Sequence, residues 1–179
     1  PACNGDFVCQ KSKSAGKQNE RAWTKAIGRY KGVLIMKKYR IGYTQGVFDM
    51  FHIGHLNLLN HAKEQCEYLL VGVNSDDLVK QYKGFIPNIP EEHRLEIVEN
   101  IKAVDQAFVV NTLDKGVIFK QNPFDAIFIG SDWKGSERWI QTEEELKKVG
   151  AEVVYLQYTG GISSTILRQK ICSKEACKR

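Results

Sequence analysis

Short apolar runs and amphipathic segments alternate along the chain from residue 39 onward. The apolar runs predict strands at 39–44, 68–73, 106–110, 126–129 and 152–156. Apolar residues at helical spacing predict helices at 53–65, 76–81, 90–103, 114–121, 137–149 and 163–172. Strands that alternate with helices form βαβ units, in which the strands are parallel and helices cover both faces of the sheet. The pattern therefore predicts an α/β fold with a five-stranded parallel sheet.

The first 35 residues differ from the rest of the chain. Residues 1–18 are polar, basic and without periodicity, which is typical of a tail, and residues 19–34 have the spacing of a short amphipathic helix. We predict a basic N-terminal extension at 1–35, partly disordered or forming a short helix, one domain at 36–173 and a C-terminal tail at 174–179. The extension is interpreted as an upstream segment, the end of a preceding domain, an added cloning segment or a presequence.

The net charge of the chain comes from this extension. The chain carries 26 Lys and Arg against 21 Asp and Glu, a net charge of +5. Residues 1–35 hold seven basic and two acidic side chains, so residues 36–179 are neutral overall. Because a neutral domain has no general attraction for a polyanion, no nucleic-acid partner is expected. The extension itself could bind a membrane surface or a polyanion.

Cysteine usage and hydropathy bound the cellular setting. The five cysteines are an odd number and form no CxxC pair or Cys/His cluster, which disfavours a zinc site and a disulfide framework. No apolar run approaches the roughly 20 residues that cross a bilayer. Reduced thiols in a cytoplasmic protein without stable membrane insertion are the simplest interpretation.

The segment GVFDMFHIGH at 46–55 carries the strongest functional signal. It follows the first predicted strand and opens the first predicted helix, where an α/β sheet binds ligands and a helix N-terminus attracts phosphate. His52 and His55 can donate hydrogen bonds there and, if protonated, supply positive charge. Gly54, between them, lets a ligand approach the backbone. No Ser or Cys nucleophile with an orienting base is nearby, so we predict a phosphate-holding site without a covalent intermediate.

Three further segments are candidate ligand sites. GISST at 161–165 opens the last predicted helix, where Ser163 or Ser164 is suited to the N-cap and the hydroxyls can hold phosphate. On its own this segment equally fits a capped helix. SDWKG at 131–135 ends the fourth predicted strand and also fits a polar turn with a packed Trp, and Lys83 also fits solvated surface.

Together these motifs identify a resemblance. GVFDMFHIGH resembles the HxGH signature of the nucleotidyltransferase superfamily, and GISST resembles the GISTT segment of its cytidylyltransferases. SDW resembles their GDDW segment, with Ser131 in place of the first Asp, and Lys83-Gly84 and Glu92-His93-Arg94 resemble their KG and EHR segments. Over residues 38–172 the order and spacing are most similar to the bacterial glycerol-3-phosphate cytidylyltransferases.

The resemblance implies a Rossmann-like fold and transfer of CMP from CTP to glycerol 3-phosphate, with catalytic roles for His52, His55 and Lys83. The implied nucleotide-binding residues are Gly46, Val47, Phe48, Asp49, Gly54, Gly130, Asp132, Gly161, Ile162, Ser163, Ser164 and Thr165. The implied acceptor-binding or supporting residues are Arg94, Lys102, Asp105, Trp133, Tyr158 and Arg168. Mg²⁺ is expected as the cofactor, carried by the triphosphate, with Asp49 or Asp132 as candidate ligands. A homodimer is also implied.

One departure from the family pattern bears on the substrate. Tyr158 stands where the family has an Arg that is expected to touch the triphosphate, and Gly160 stands where it has a Glu. Arg168 or a partner subunit could supply the missing cation. Two alternatives therefore stay open. The same fold could act on choline or ethanolamine phosphate with CTP, or on a sugar phosphate with ATP. The chain could also be a non-catalytic nucleotide-binding module.

Overall fold

The computed structural model describes residues 37–176, so the predicted extension at 1–35 and residues 177–179 lie outside the described part of the chain. The strands are β1 (Tyr39–Gly46), β2 (Cys66–Asn74), β3 (Gln106–Val110), β4 (Ala126–Gly130) and β5 (Glu152–Leu156). The helices are α1 (Ile53–Gln65), α2 (Asp76–Lys83), α3 (Glu91–Glu99), α4 (Lys115–Gln121), α5 (Glu137–Lys148) and α6 (Ser164–Ala176). One 3₁₀ turn, Ser131–Trp133, follows β4.

The five strands form one parallel sheet in the order β3-β2-β1-β4-β5. The apolar runs form strands because they are buried on both faces. On one face α1 and α3 contribute Leu59, Ala62 and Val98 to the core, and on the other face α4 and α5 contribute Ile118 and Leu146. The predicted α/β class, the five parallel strands and the helices on both faces are confirmed.

The strand order determines where a ligand can bind. From β1 the chain builds outward through β2 and β3, and it then returns to the other side of β1 with β4 and β5. The connections after β1 and β4 therefore diverge at the carboxyl ends of two adjacent strands. In open α/β sheets such a reversal leaves a crevice in which ligands bind.

Two helices differ most from the sequence prediction, each at its C-terminal end. The helix predicted at 90–103 ends at Glu99, where the Asn100 side chain donates to the Glu96 carbonyl at 2.8 Å and competes with continued helix. The last helix continues to Ala176, three residues into the segment predicted as a tail. No helix in the described part of the chain combines the length and the hydropathy needed to cross a membrane.

Candidate active site

A cleft of about 370 Å³ opens at the carboxyl ends of β1 and β4, where the strand order reverses. It brings together segments that are more than 100 residues apart in the chain, from the first loop to the start of α6. The predicted site residues that line it are Gly46, Val47, His52, Gly54, His55, Lys83, Gly130, Asp132, Trp133, Tyr158, Ile162, Ser163, Ser164, Thr165 and Arg168.

The histidine pair begins α1. His52 is the N-cap residue in extended conformation, and its Nδ1 accepts the N–H of Gly54 at 3.1 Å. The ring of His55 stacks on that of His52, with the ring centroids 3.9 Å apart, and also packs against Phe48. Gly54 is required here, because a Cβ on it would lie 2.9 Å from Cε1 of His52. The cap, the glycine and the stacked rings fix the pair in one arrangement.

Both imidazoles are neutral at pH 7. Burial lowers the pKa of His52. Burial, followed by the neighbouring His52, lowers the pKa of His55 to about 4. The bond that His52 accepts at Nδ1 leaves its proton on Nε2, so this ring is a hydrogen-bond donor. Of the two roles predicted for the histidines, hydrogen bonding and positive charge, the lowered pKa values favour hydrogen bonding in the free protein, because partial burial disfavours the charged form.

Asp49 supports the loop before α1 and does not line the cleft. Its carboxylate is buried and accepts bonds from the Asn88 amide at 2.9 Å and the Ile89 N–H at 3.1 Å, and it lies 3.7 Å from the Arg168 guanidinium. Burial alone would raise the pKa of Asp49, but these bonds and the nearby cation lower it. The Asp49 carbonyl accepts the Ser164 hydroxyl at 2.7 Å, which ties this loop to α6.

Arg94 is another supporting residue, and its side chain is fully buried. Its guanidinium donates to three carbonyls, those of Val47 at 2.5 Å, Ile89 at 2.8 Å and Asn74 at 2.9 Å. It also pairs with the Asp76 carboxylate at 2.5 Å. One side chain thus holds the first loop against the end of β2 and the start of α2.

The cleft is strongly cationic although the domain is neutral. Among the cleft residues that the structure describes, Asp132 is the only carboxylate, and the cations are Lys83, Lys115, Arg138 and Arg168. Lys83 and Arg168 are close to each other: partial burial and then the Arg168 charge lower the pKa of Lys83. Arg168 itself lies over the ring of Phe85, with its Cζ 4.5 Å from the ring centroid. Tyr158 is half exposed at the cleft wall.

The start of α6 faces the same cleft. Ser163 is its N-cap, because Ser163 Oγ accepts the N–H of Ile166 at 3.2 Å, and Ser164 is the first helical residue. The remaining first-turn N–H groups have no acceptor within the helix, which suits them to an anion. Gly161, just before this turn, has φ +79°, a conformation that favours glycine, and does not line the cleft.

Sequence reasoning missed a polar network on the cleft floor. Lys115 is buried, and its ammonium donates to Gln45 Oε1 at 2.6 Å and to the Leu113 carbonyl at 3.0 Å. Gln45 in turn donates to Asn74 Oδ1 at 2.7 Å. Burial, followed by the nearby Arg138 charge, lowers the pKa of Lys115 to about 7. The available signal was position, because Gln45, Asn74 and Lys115 all lie at the carboxyl ends of strands or just after them.

Two predicted residues lie away from the cleft. Asp105 precedes β3 at its amino end, where its carboxylate pairs with Lys63 and accepts the Leu69 N–H at 2.6 Å. Lys102 is exposed in the turn before it. Because the cleft lies at the opposite edge of the sheet, Asp105 can only support the fold, and neither residue is placed to bind an acceptor.

The residues present fit a metal ion only as part of a bound nucleotide. Within residues 37–176, apart from the side chains of 174–176, no group of three His, Cys, Asp or Glu side chains could hold a metal ion. Asp49 does not fit as a ligand, because its oxygens are taken by Asn88, Ile89 and Arg168. Asp132 remains the single cleft carboxylate that could contact Mg²⁺ on the triphosphate.

Comparison with known proteins identifies the family to which the chain is similar. The model of the "Cytidylyltransferase-like" family matches residues 43–170. The glycerol-3-phosphate cytidylyltransferase of Bacillus spizizenii is 35% identical over 73% of this chain and 95% of its own. An FAD synthase of Thermococcus onnurineus is 37% identical over 68% of this chain and 81% of its own. A lipopolysaccharide core biosynthesis protein of Thermoplasma volcanium has a similar structure, with TM-score 0.58 and 27% identity over 69% of this chain and 99% of that one.

Proposed function

Because the chain belongs to the cytidylyltransferase-like family and is a nucleotidyltransferase, we propose that it transfers CMP from CTP to glycerol 3-phosphate, giving CDP-glycerol and pyrophosphate. The observation that carries this proposal is the arrangement of charge around the histidine pair. Lys83 and Arg168 form one cationic pair in the cleft, and Lys115 and Arg138 form another. Two cationic pairs suit two anionic substrates, a triphosphate and an acceptor phosphate.

The reaction needs positioning and electrostatics more than proton transfer. A phosphate oxygen of the acceptor attacks the α-phosphorus in line, the new phosphorus–oxygen bond forms, and the bond to the β-phosphate oxygen breaks to release pyrophosphate. The nucleophile is already ionised, so no general base and no covalent intermediate are required. The Nε2–H of His52 and the adjacent His55 donate hydrogen bonds to charge that develops at the α-phosphate.

The triphosphate occupies the side of the cleft near α6. Lys83 and Arg168 offset its charge, and the first turn of α6 with Thr165 holds its outer phosphates. Arg168 thereby supplies the cation that the family has at position 158, so no partner subunit is needed for that role. Mg²⁺ would be held by the phosphates of the nucleotide, with Asp132 as its candidate protein contact, and it would supply neutralisation of the phosphate charge.

The acceptor phosphate occupies the opposite side, at Lys115 and Arg138. Neither cation has a carboxylate bonded to it in the described part of the chain: Lys115 binds Gln45 and a carbonyl, and Arg138 binds only the Leu113 carbonyl at 3.3 Å. A phosphate dianion would satisfy both charges. Lys102 and Asp105, which were predicted as acceptor-binding or supporting residues, lie away from this part of the cleft.

Pyrophosphate release tests the proposal. CTP and ATP are each supplied with and without glycerol 3-phosphate in the presence of Mg²⁺, and release is expected only with CTP and the acceptor together. His52→Ala and His55→Ala are each expected to lower turnover by about 10²-fold or more. His61→Ala is the matched control, because this histidine is exposed on the same helix. Normal turnover in either active-site variant would overturn the assignment.

Adenylyl transfer is the second candidate, because one of the relatives is an FAD synthase. Release with ATP in place of CTP would favour it. Tight CTP binding without release across phosphorylated acceptors would favour the non-catalytic module.

A further inference from the structure

The hydroxyl of Tyr82 lies at the floor of the cleft. Tyr82 belongs to α2, directly before Lys83, and its side chain lines the cleft and is 38% exposed. Its hydroxyl oxygen lies 3.0 Å from the side-chain amide nitrogen of Asn74, the last residue of β2. Through Asn74 and Gln45 it is joined to the polar network that holds Lys115. What the hydroxyl offers to a ligand depends on which partner donates the bond between Tyr82 and Asn74.

Two groups that can act in one sense only fix the orientation of the Gln45 amide. The Lys115 ammonium is a donor, and it bonds to Gln45 Oε1 at 2.6 Å. The Thr112 carbonyl is an acceptor, and it lies 3.0 Å from Gln45 Nε2. Gln45 Nε2 therefore donates to Asn74 Oδ1 at 2.7 Å. This leaves Nδ2 of Asn74 facing Tyr82, so the amide donates and the Tyr82 oxygen accepts.

The proton of the Tyr82 hydroxyl is consequently available to a ligand. A tyrosine hydroxyl has a single proton, and among the residues that the structure describes none accepts it. Burial raises the pKa of Tyr82, whereas the Asn74 bond and the Arg138 charge act in the opposite direction. The Arg138 charge also acts on Lys115, so it lies near both groups. Tyr82, Lys115 and Arg138 thus offer their donors to the same part of the cleft.

We propose that the Tyr82 hydroxyl donates a hydrogen bond to the acceptor phosphate, and that Asn74 and Gln45 are positioning residues that keep its proton directed into the cleft. The inference rests on the proposed function, in which that phosphate lies at Lys115 and Arg138. An ionised phosphate oxygen only accepts hydrogen bonds, and such charge-assisted bonds are stronger than neutral ones. A hydroxyl held as a donor suits this oxygen, whereas a hydroxyl held as an acceptor would turn a lone pair toward it.

Steady-state kinetics test the role of the hydroxyl. Pyrophosphate release is measured as glycerol 3-phosphate is varied at saturating CTP, and as CTP is varied at saturating glycerol 3-phosphate, with Mg²⁺ present. Tyr82→Phe removes only the hydroxyl, and it is expected to raise KM for glycerol 3-phosphate by about tenfold and to leave KM for CTP unchanged. Tyr68→Phe is the matched control, because the Tyr68 hydroxyl bonds to Gln106 near the amino ends of β2 and β3, and it should change neither KM.

Asn74→Asp tests the direction of the bond. A carboxylate still accepts from Gln45 but cannot donate to Tyr82, so the Tyr82 proton turns to the carboxylate and away from the cleft. The added negative charge affects acceptor binding by itself, so Tyr82→Phe is measured with and without Asn74→Asp. Tyr82→Phe is expected to raise KM for glycerol 3-phosphate by about tenfold in the wild-type background and by less than about twofold in the Asn74→Asp background.

The outcomes separate the inference from the proposed function. If Tyr82→Phe leaves KM for glycerol 3-phosphate unchanged, or raises KM for CTP instead, the inference is overturned while the proposed function stands. If Tyr82→Phe has the same effect in both backgrounds, the positioning role of Asn74 is overturned. If the wild-type chain releases no pyrophosphate with CTP and glycerol 3-phosphate, the proposed function fails and the inference fails with it.

Discussion

Substituting Gly54 by Ala tests whether the cleft depends on the position of the His52 ring. A Cβ on Gly54 would lie 2.9 Å from Cε1 and 3.0 Å from Nδ1 of His52. Carbon atoms in contact are about 3.5–4.0 Å apart, so the ring must move by about 0.6 Å or more. A misplacement of 1 Å can cost about 10²-fold in rate, so this shift is expected to lower kcat/KM by roughly 10- to 20-fold.

Stability is expected to change little. Ala in a helix is about 0.5–1 kcal/mol more stable than Gly, but the displaced His52 ring weakens the N-cap bond that it accepts from the Gly54 N–H, which offsets about the same amount. The assay combines pyrophosphate release with thermal unfolding followed by circular dichroism. Asn60→Ala, at an exposed position of α1, is the control for a gain of helix propensity alone. Activity within threefold of wild type, or a loss of stability of more than about 2 kcal/mol, would refute the reasoning about His52.

Three further predictions concern buried groups. Arg94→Met should lower the free energy of unfolding, measured in urea, by about 3–5 kcal/mol, because it leaves Asp76 and three carbonyls without their donor. Arg94→Lys should lower it less, and equal losses in the two variants would contradict this prediction. His55 binds a proton more readily in the unfolded chain than in the folded one, so the free energy of unfolding should fall by about 3 kcal/mol as pH drops from 6.5 to about 4. A His55→Gln variant whose free energy of unfolding falls as steeply with pH would refute this prediction. Lys115 loses its charge as pH rises through about 7, so kcat/KM for the acceptor should fall above pH 7 in the wild type. In Lys115→Arg it should not fall. A wild-type kcat/KM that does not change with pH would be the contrary result.

The fold follows from sequence to the extent that periodicity determines it. The runs at 106–110 and 152–156 become strands with those bounds, and the helix predicted at 53–65 begins and ends where it was expected. These elements are long enough, or apolar enough, for burial to decide their state. The end of α3 is less predictable, because the Asn100 side chain donates to the carbonyl four residues back, and this bond competes with helix propensity there.

The site could be predicted where its residues are adjacent in the chain. His52, Gly54 and His55 act through one helix start, so a ten-residue segment contains their whole geometry. Lys115 is different, because its role depends on a contact with Gln45 of β1, which lies 70 residues earlier in the chain. A local sequence pattern does not determine which edge of the sheet a residue beside a strand occupies. Asp105 is an example, because it was predicted as a site residue but lies at the edge of the sheet opposite the cleft.

The neutral charge of the domain and the cationic cleft are connected. Carboxylates elsewhere in the domain form structural bonds: Asp49 holds the first loop, Asp76 pairs with Arg94, and Asp105 pairs with Lys63. Among the described residues that line the cleft, Asp132 is the one carboxylate against four cations, and Asp49 beneath the cleft partly offsets the charge of Arg168. Because both histidines are neutral, the proposed reaction draws its binding charge from the cationic pairs and directed hydrogen bonds from the histidine pair. A module that only bound a nucleotide would need the cations near α6. The second buried cation, Lys115 at the start of α4 and close to Arg138, suits the second anion that the proposed reaction brings to the same cleft.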